Sequence, residues 1–354
     1  MTGVAAPAVT DPPPAELAGM LERLGRDGLA HIPAKRPRDN ILVATWNLRE
    51  FGGLTERWLS AAGDVPKRDL FSVRCIAEIL GRFDVIALQE VQRDIKALRH
   101  VLKILGEDWA FILTDVTEGD AGQNERLAFL FDTRRVQVSG LACELVVPED
   151  VLERNRAVGE GALQRQFART PYAVAFRSAG QTFILVTLHV VYGTRASQRT
   201  GELGRIADWL ADWAARTEEY GQNLVCLGDF NIDRQRDANY QAFVRRGLTP
   251  APELNAVPRT LPTADRKPKF YDQIAWFTDA GRARLTLGYE GTAGTVPWDD
   301  FLFTDLERGP KSFRISDHYP LWVEFLVPEP RPRRFARPGR PARGGSGSRG
   351  PPRP

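Results

Sequence analysis

Short apolar runs with strand composition recur along this chain, and their number limits the fold more than any other feature. About ten of these runs lie between residues 41 and 326, separated in places by segments with helical spacing of apolar residues. A single open sheet rarely holds so many twisted strands. Both β-α-β and hairpin connections occur, so mixed sheets are expected. We therefore predict an α+β fold, a four-layer α/β/β/α sandwich of two packed mixed β-sheets flanked by helices.

The predicted strands share apolar, β-branched or aromatic residues and are bounded by polar or turn residues. They cover Ile41–Trp46, Asp84–Gln89, Trp109–Leu113, Leu127–Phe131, Tyr172–Phe176, Thr182–Leu188, Leu224–Leu227, Ile274–Phe277 and Leu321–Leu326. The longer helices are indicated by apolar residues three or four positions apart. They lie within Lys67–Leu80, Ile95–Leu105 and Leu203–Trp213.

The two ends of the chain differ in composition from its body. Residues 1–38 are predicted to be an N-terminal extension, with a short helix that docks outside the main core and a linker. Residues 39–327 form the main domain. Residues 328–354 are rich in Arg, Pro and Gly and hold eight Arg but no acid beyond residue 330, which predicts a disordered basic tail. Such a tail is either a solvated end or an arm that adds affinity for polyanions.

Composition excludes several classes of protein. No run reaches the roughly 18 apolar residues of a membrane span, and the first 14 residues do not resemble a secretory signal. The three Cys lack metal-binding spacing and imply no disulfide framework. We therefore expect a cytoplasmic protein, and we expect it to be a monomer.

Polar residues suited to hydrolysis stand at the ends of predicted strands, where a rigid scaffold can bring distant groups together. Those that follow a strand are Asn47, Glu90, His189, Asp229 and Asn231. In contrast, Asp272 and the pair Asp317-His318 precede strands. The last strands must therefore run antiparallel to the first if all these groups meet at one edge.

Each of these residues has an ordinary structural explanation when it is considered alone. An Asn after a strand is usually a turn residue, a Glu there often caps a helix, and a His can be satisfied in the core. The chain has only four His, however, and two of them, His189 and His318, lie at strand ends beside polar residues. The joint pattern favours a site with oxygen ligands for a hard cation and groups for proton transfer, as phosphodiester hydrolysis requires.

Five short runs occur in a fixed order and carry a family resemblance. They are Trp46-Asn47, Gln89-Glu90, Thr187-x-His189, Gly228-Asp229-Phe230-Asn231 and Ser316-Asp317-His318. Together they resemble the endonuclease/exonuclease/phosphatase superfamily. Longer runs such as Asn47-Leu-Arg-Glu-Phe-Gly52 and Ile315-Ser-Asp-His-Tyr-Pro320 are most similar to the deoxyribonuclease I family. The resemblance extends over Ile41–Val327 and implies that residues 39–327 are a catalytic domain.

The resemblance also implies a metal site. Glu90 would be the main Mg²⁺ ligand, assisted by Asn47, Asp317 and Asp229. Mn²⁺ is an alternative ion. The Ca²⁺-binding loops and the disulfide of secreted relatives find no match in this sequence, which leaves a role for Ca²⁺ open.

Catalytic roles are implied in the same way. The family pattern pairs His189 with Glu125 and His318 with Asp272, and such carboxylates fix the imidazole tautomer and raise its basicity. Asp229 would orient or deprotonate the attacking water. We assign His318 to the side of the water and His189 to the side of the leaving oxygen.

Three further positions concern the substrate. The resemblance implies that Asn231 and Arg169 bind phosphate oxygens and that Arg49 contacts substrate, roles for which a guanidinium is well suited. Gln123 occupies a position where deoxyribonuclease I has a Tyr that contacts DNA. This departure puts aromatic packing in a minor groove in doubt.

Three functional hypotheses follow. The favoured one is a Mg²⁺-dependent phosphodiesterase with nucleic acid as its substrate, specifically a DNA endonuclease of low sequence specificity. The alternative is a phosphatase or phosphodiesterase of the same superfamily that acts on a small or lipid phosphate. The third is a noncatalytic module that binds nucleic acid, which the full set of expected polar groups disfavours.

Overall fold

The structure is a computed structural model of the 354-residue chain. It describes residues 6–117, 123–158, 166–193, 195–216, 223–263, 267, 269–279 and 281–328. The strands within these ranges are β1 (Asn40–Phe51), β2 (Val85–Gln92), β3 (Trp109–Leu113), β4 (Glu125–Asp132), β5 (Gln137–Glu144), β6 (Tyr172–Ser178), β7 (Gln181–His189), β8 (Leu224–Asp229), β9 (Leu248–Pro250), β10 (Asp272–Asp279), β11 (Arg282–Ala283), β12 (Ala293–Thr295) and β13 (Leu321–Leu326).

The strands form two mixed sheets. The first has the order β12-β13-β1-β2-β4-β3, and the second has the order β11-β10-β8-β7-β6-β5, with β9 paired to β10. The central pair of each sheet is parallel, β1 with β2 and β7 with β8. The late strands β13 and β10 run antiparallel to β1 and β8, respectively, as the sequence predicted.

Alternation along the strands explains how the sheets pack. In β1, Ile41 and Val43 face the second sheet, whereas Leu42 and Ala44 face the helices that cover the first sheet. Because both faces are buried, the strand reads as a continuous apolar run. The same arrangement on the second sheet confirms the predicted four layers.

Most of the described helices cover the outer faces of the two sheets, and the last one packs beside β1. They are α1 (Ala15–Arg23), α2 (Leu70–Leu80), α3 (Lys96–Leu105), α4 (Glu149–Val158), α5 (Ala196–Ala215), α6 (Ala238–Val244) and α7 (Arg308–Arg314). Helix α2 begins where the Asp69 side chain accepts a hydrogen bond from the Ser72 amide. Helix α3 ends at Gly106, whose φ of 96° suits a residue without a side chain. None of the described helices is long and apolar enough to cross a bilayer.

The N-terminal extension does not dock outside the main core, so that expectation is wrong. Its apolar side chains belong to the cluster that covers the first sheet, including Leu17, Leu24, Leu29 and Ile32. The linker is also fixed, because Arg36 forms a 3.0 Å ion pair with Glu324 of β13. The predicted basic tail lies beyond residue 328, outside the described part of the chain.

Several elements lack a clear signal in the sequence. Strand β5 is at a sheet edge, and its residues alternate between half-buried and exposed, so it carries no apolar run. Helices α6 and α7 have seven residues each, too few for helical periodicity to stand out. The three Cys are free thiols, as expected, and two of them, Cys75 and Cys226, are buried.

Candidate active site

The predicted site residues meet where the central parallel strands of both sheets end. There Asn47 of β1 lies opposite Gln89 of β2, and His189 of β7 lies opposite Asp229 of β8. Because β10 and β13 run the other way, the segments before them reach the same edge. The two sheets therefore bring groups from distant parts of the sequence together on rigid strands.

The backbone turns sharply at this edge. Glu50, Glu90 and Asn231 have positive φ values of 48°, 60° and 50°. The ladders beside the two Glu residues are interrupted by bulges. Left-handed backbone costs a residue other than Gly about 1 kcal/mol or more, and it persists where it aims a functional side chain.

Gly228 explains why the run before Asp229 contains a glycine. Its φ is 138°, and a Cβ at this position would lie 2.1 Å from the carbonyl oxygen of Leu188. Only Gly allows this close approach of β8 to β7. The approach places Asp229 beside His189.

Asn47 is the centre of a group of three polar side chains. Its Nδ2 donates to Glu90 Oε1 at 2.9 Å and to Asp229 Oδ2 at 3.0 Å. The backbone amide of Glu50 donates to the other oxygen of Glu90 at 2.9 Å. The sequence predicted this meeting of Asn47, Glu90 and Asp229.

His318 and Asp272 form one of the two predicted pairs. His318 Nδ1 lies 2.7 Å from Asp272 Oδ2, and both side chains are buried. Burial disfavours the charged imidazole, but Asp272 and Asp229 outweigh that effect and hold the pKa of His318 well above its ordinary value. Tyr271 stacks on the imidazole with ring centroids 5.9 Å apart.

Hydrogen bonds between side chains and the backbone fix the segment that carries His318. Ser316 Oγ donates to the carbonyl of Asn47 at 2.6 Å and accepts from the His318 amide at 3.0 Å. The indole of Trp46 donates to the His318 carbonyl at 2.9 Å. Through these contacts, Trp46 and Ser316 join β1 to the segment that carries His318.

His189 and Glu125 form the second predicted pair. His189 Nδ1 lies 3.1 Å from Glu125 Oε2, and Arg169 Nε donates to the same carboxylate oxygen. Burial acts to raise the pKa of Glu125, but His189 and Arg169 outweigh it and lower that pKa. Arg169 Nη2 also donates to Gln123 Oε1 at 3.0 Å, so Gln123 holds the guanidinium.

Asp229 lies between the two pairs. Its Oδ2 is 3.6 Å from His189 Nε2 and 3.9 Å from His318 Nε2. Burial opposes its ionisation, but the two His and hydrogen bonds from the Asn231 amide and Asn47 lower its pKa. The carboxylate therefore stays ionised at neutral pH and is flanked by two imidazoles.

These groups surround one cavity of about 560 Å³. Eight predicted site residues line it, namely Glu90, Gln123, Arg169, His189, Asp229, Asn231, Asp317 and His318. Asn47, Glu125 and Asp272 lie behind these residues and are hydrogen-bonded or paired to them. The cavity is large enough to admit a phosphate with its neighbouring groups.

Arg49 lies beside the cavity and is not among its lining residues. Its Nη1 donates to Ser312 Oγ at 2.6 Å and lies 3.8 Å from Asp317 Oδ2. The guanidinium also stacks 3.9 Å over the ring of Phe313. Helix α7 therefore holds Arg49 next to Asp317.

Comparison with known proteins agrees with this geometry. A model described as "Endonuclease/Exonuclease/phosphatase family" matches residues 44–318. The chain belongs to this family. A curated protein from Thioalkalivibrio sp. (strain K90mix), described as a deoxyribonuclease, is 30% identical over 301 residues, which are 81% of this chain and 71% of that protein. The chain is therefore a phosphodiester hydrolase of the nuclease-like type.

Solved structures show the same fold at low sequence identity. A family member from Bacteroides thetaiotaomicron is 18% identical, with a TM-score of 0.52 over 82% of this chain and 99% of its own. A mannosyl-6-phosphatase, Bt3783 of B. thetaiotaomicron VPI-5482, is also 18% identical, with a TM-score of 0.50 over 80% and 99%. These likenesses confirm the two-sheet fold.

The site has the donors that a divalent cation of this family would need. Asn47 Oδ1 is buried and, among the described residues, has no hydrogen-bond partner, while the Glu90 carboxylate lies next to the same amide. An orphaned oxygen beside a carboxylate fits a hard cation. A second grouping brings ligand atoms of Glu90, Glu125 and His189 within 4.8 Å of one another, but Arg169 already occupies Glu125.

Sequence reasoning missed a buried arginine beneath the site. Arg68 is 2% exposed and donates to the carbonyls of Glu50 at 2.8 Å, Arg49 at 2.7 Å and Ile315 at 3.1 Å. Burial lowers the pKa of Arg68 to about 10, which leaves it charged at neutral pH. It therefore ties the end of β1 to the segment that carries Asp317 and His318.

A second missed feature joins the two sheets directly below the cavity. Gln89 Nε2 donates to Thr187 Oγ1 of the second sheet at 2.9 Å and to Thr45 Oγ1 of its own sheet at 3.1 Å. Gln89 and Thr187 each lie next to or near a site residue in the family runs. Their presence in those runs was the available signal.

Proposed function

We propose that this enzyme is a divalent-metal-dependent endonuclease that cleaves DNA with low sequence specificity. The observation that carries this proposal is the convergence of Asn47, Glu90 and Asp229 between two His–carboxylate pairs at one cavity. The similarity to a protein described as a deoxyribonuclease supports DNA as the polymer.

Glu90 and Asn47, with Asp317 nearby, would hold Mg²⁺. When bound, this cation would neutralise charge on a phosphate oxygen and on the leaving oxygen. The buried Asn47 Oδ1 and the Glu90 carboxylate are the donors that support this assignment.

Asp229 orients the attacking water and takes up its proton. It is ionised, buried and 3.9 Å from His318, the imidazole that we assign to the side of the water. Because the pKa of His318 is raised, this residue enters the reaction as an imidazolium and stabilises the charge that develops on the phosphate.

His189 donates a proton to the leaving oxygen, and Glu125 fixes its orientation. Arg169 and Asn231 line the cavity and bind nonbridging phosphate oxygens. Arg169 is well prepared for this role, since Glu125 and Gln123 both hold its guanidinium.

A plasmid assay tests the proposed function. Purified protein with Mg²⁺ is expected to nick supercoiled DNA, EDTA is expected to abolish nicking, and His318→Ala is expected to slow it by at least about 10²-fold. No nicking by the wild type, or equal nicking by His318→Ala, would contradict the proposal. A parallel panel of sugar, inositol and sphingolipid phosphates would reveal the alternative phosphatase activity by phosphate release.

A further inference from the structure

Tyr192 is an aromatic residue at the rim of the cavity that the proposed chemistry does not use. It follows β7 three residues after His189, lines the cavity and remains 56% exposed. A large exposed ring beside a phosphate site is suited to contact with the part of a substrate that adjoins the phosphate.

The ring is held in place rather than loosely exposed. Arg199 Nη1 donates to the carbonyl of Tyr192 at 2.9 Å, and the guanidinium lies 5.1 Å from the ring centroid. Arg199 is itself buried and paired with Asp233. Arg199 therefore fixes both the backbone and the side chain of Tyr192.

A second tyrosine extends the aromatic wall into the cavity. Tyr271 meets Tyr192 edge to face, with centroids 6.3 Å apart, and also stacks on His318. Lys269 lies 5.5 Å from the Tyr271 ring and donates to Asp233 at 3.0 Å. One network of Arg199, Asp233 and Lys269 thus supports both rings.

Gln123 lines the same cavity as Tyr192 and belongs to the segment before β4. Its amide oxygen accepts a hydrogen bond from Arg169 Nη2 at 3.0 Å, so this residue supports the guanidinium and presents no ring to a substrate. The exposed aromatic contact therefore lies on the β7 side of the cavity rather than at the start of β4. A ring can stack on a base only when that base is not already covered by neighbours in a duplex.

We propose that Tyr192 forms a stacking subsite for an unpaired nucleobase next to the phosphate that is cleaved. The enzyme then prefers single-stranded or locally unpaired polynucleotides to continuous duplex. This inference rests on the proposed nuclease function. Under this inference, nicking of a supercoiled plasmid is expected to begin where supercoiling exposes unpaired bases.

Binding of labelled oligonucleotides to the full-length protein tests the subsite without catalysis. In EDTA, fluorescence anisotropy is expected to give about tenfold weaker binding of a single strand to Tyr192→Ala than to wild type, since base–aromatic stacking has this magnitude. Tyr192→Phe retains the ring and is expected to bind like wild type. Binding of the matching duplex is expected to be the same for all three proteins.

A 2-aminopurine probe in the single strand adds a spectroscopic readout. Its fluorescence is expected to fall on binding to wild type and to Tyr192→Phe, and to fall much less with Tyr192→Ala. Unchanged single-strand binding by Tyr192→Ala, or an equal loss for single strand and duplex, would overturn the subsite. Thermal melting checks that the variant folds.

Cleavage with Mg²⁺ separates the two proposals. Wild type is expected to cut the single strand about tenfold faster than the duplex, and Tyr192→Ala is expected to lose that preference. If the single strand binds through Tyr192 but neither form is cut, the proposed nuclease function fails and the subsite stands. If both forms are cut and Tyr192→Ala keeps the wild-type preference, only the subsite fails.

Discussion

The two His–carboxylate pairs have the same chemical parts but different surroundings. Asp272 binds His318 through one oxygen, while its other oxygen is buried and, within the described residues, unpartnered. One oxygen of Glu125 instead accepts a hydrogen bond from Arg169 and lies 3.1 Å from His189 Nδ1. A carboxylate paired with one imidazole stabilises the imidazolium. A carboxylate that also pairs with a guanidinium stabilises the imidazolium less, because one negative charge is then shared by two cations.

The pairs also cross between the sheets in opposite directions. Glu125 begins β4 of the first sheet and holds His189 of the second, whereas Asp272 begins β10 of the second sheet and holds His318, which precedes β13 of the first. Each pair therefore links the two layers. Their different surroundings support the two different proton-transfer roles that we propose for His189 and His318.

Removal of either imidazole tests the division of roles and should have the largest effect. On DNA, His318→Ala and His189→Ala are each expected to lower kcat by about 10²- to 10⁴-fold. The two should differ on bis(p-nitrophenyl) phosphate, whose leaving group needs no proton. On this substrate, the kcat of His189→Ala is expected to lie within about tenfold of the wild-type value, whereas the kcat of His318→Ala is expected to remain low.

For each variant, the readout is the ratio of its kcat on DNA to its kcat on bis(p-nitrophenyl) phosphate. A metal titration checks that cation binding is intact. The same loss on both substrates for both variants would contradict the assignment of His189 to the leaving oxygen. Recovery by His318→Ala instead would reverse the two roles.

Replacement of each carboxylate by an amide compares what the two pairs contribute to the free energy of unfolding. Glu125→Gln leaves the buried guanidinium of Arg169 without its counter-charge, and Arg cannot discharge, so a cost of about 3–5 kcal/mol is expected at any pH between 6.5 and 9. Asp272→Asn leaves His318, which can lose its proton. Its cost is therefore expected to depend on pH.

The sign of that dependence follows from the raised pKa of His318. Stabilisation by a raised folded pKa is complete below the unfolded value of about 6.5 and is lost as the pH rises through the folded value. Urea unfolding at pH 6.5 and 9 should therefore give a smaller cost for Asp272→Asn at pH 9. A cost that grows with pH would show that His318 is not the charged partner.

Arg68 supports the His318 side of the site, and its substitution should have the next largest effect on stability. Arg68→Met leaves several buried carbonyls without a donor, and a loss of about 3 kcal/mol in the free energy of unfolding is expected. Arg82→Met is a matched control with an expected loss below about 0.5 kcal/mol, because Arg82 is half-exposed and pairs with Glu78 one helical turn away. Equal losses for the two variants would refute a special role for Arg68.

The tie between the sheets should give the smallest effect. Thr187→Val removes the hydroxyl that accepts from Gln89, and a loss of about 1 kcal/mol is expected by denaturant unfolding. Thr182→Val, at an exposed position of the same strand, is the control and should change little. If Thr187→Val also leaves the free energy of unfolding unchanged, the hydrogen bond between Gln89 and Thr187 does not stabilise the packing of the two sheets.

Much of the fold was predictable because its strands are buried on both faces. Runs such as Ile41–Trp46 are continuous in apolar residues for that reason, and β13 was predicted with its observed bounds. Strand β5 could not be found in this way, since an edge strand with one solvated face carries only weak patterning. The docking of α1 was missed because one apolar helical face does not reveal which surface covers it.

The candidate site was predictable where residues stand at the ends of strands. His189 and His318 were found from position and residue type together, and the structure brings them to one cavity. Arg68 carried no comparable signal, because its partners are backbone carbonyls, which any sequence supplies. Tyr192 was missed because the sequence does not tell which loop residue remains exposed beside the cavity.

The left-handed backbone at the rim has a consequence for engineering this enzyme. Glu50, Glu90 and Asn231 occupy a conformation that Gly adopts without steric cost. A search for thermostable variants would therefore favour Gly at these positions, and at Glu90 it would remove the carboxylate beside Asn47. Selection for heat resistance alone would thus tend to remove the proposed metal ligand, so a screen needs an activity readout at every round.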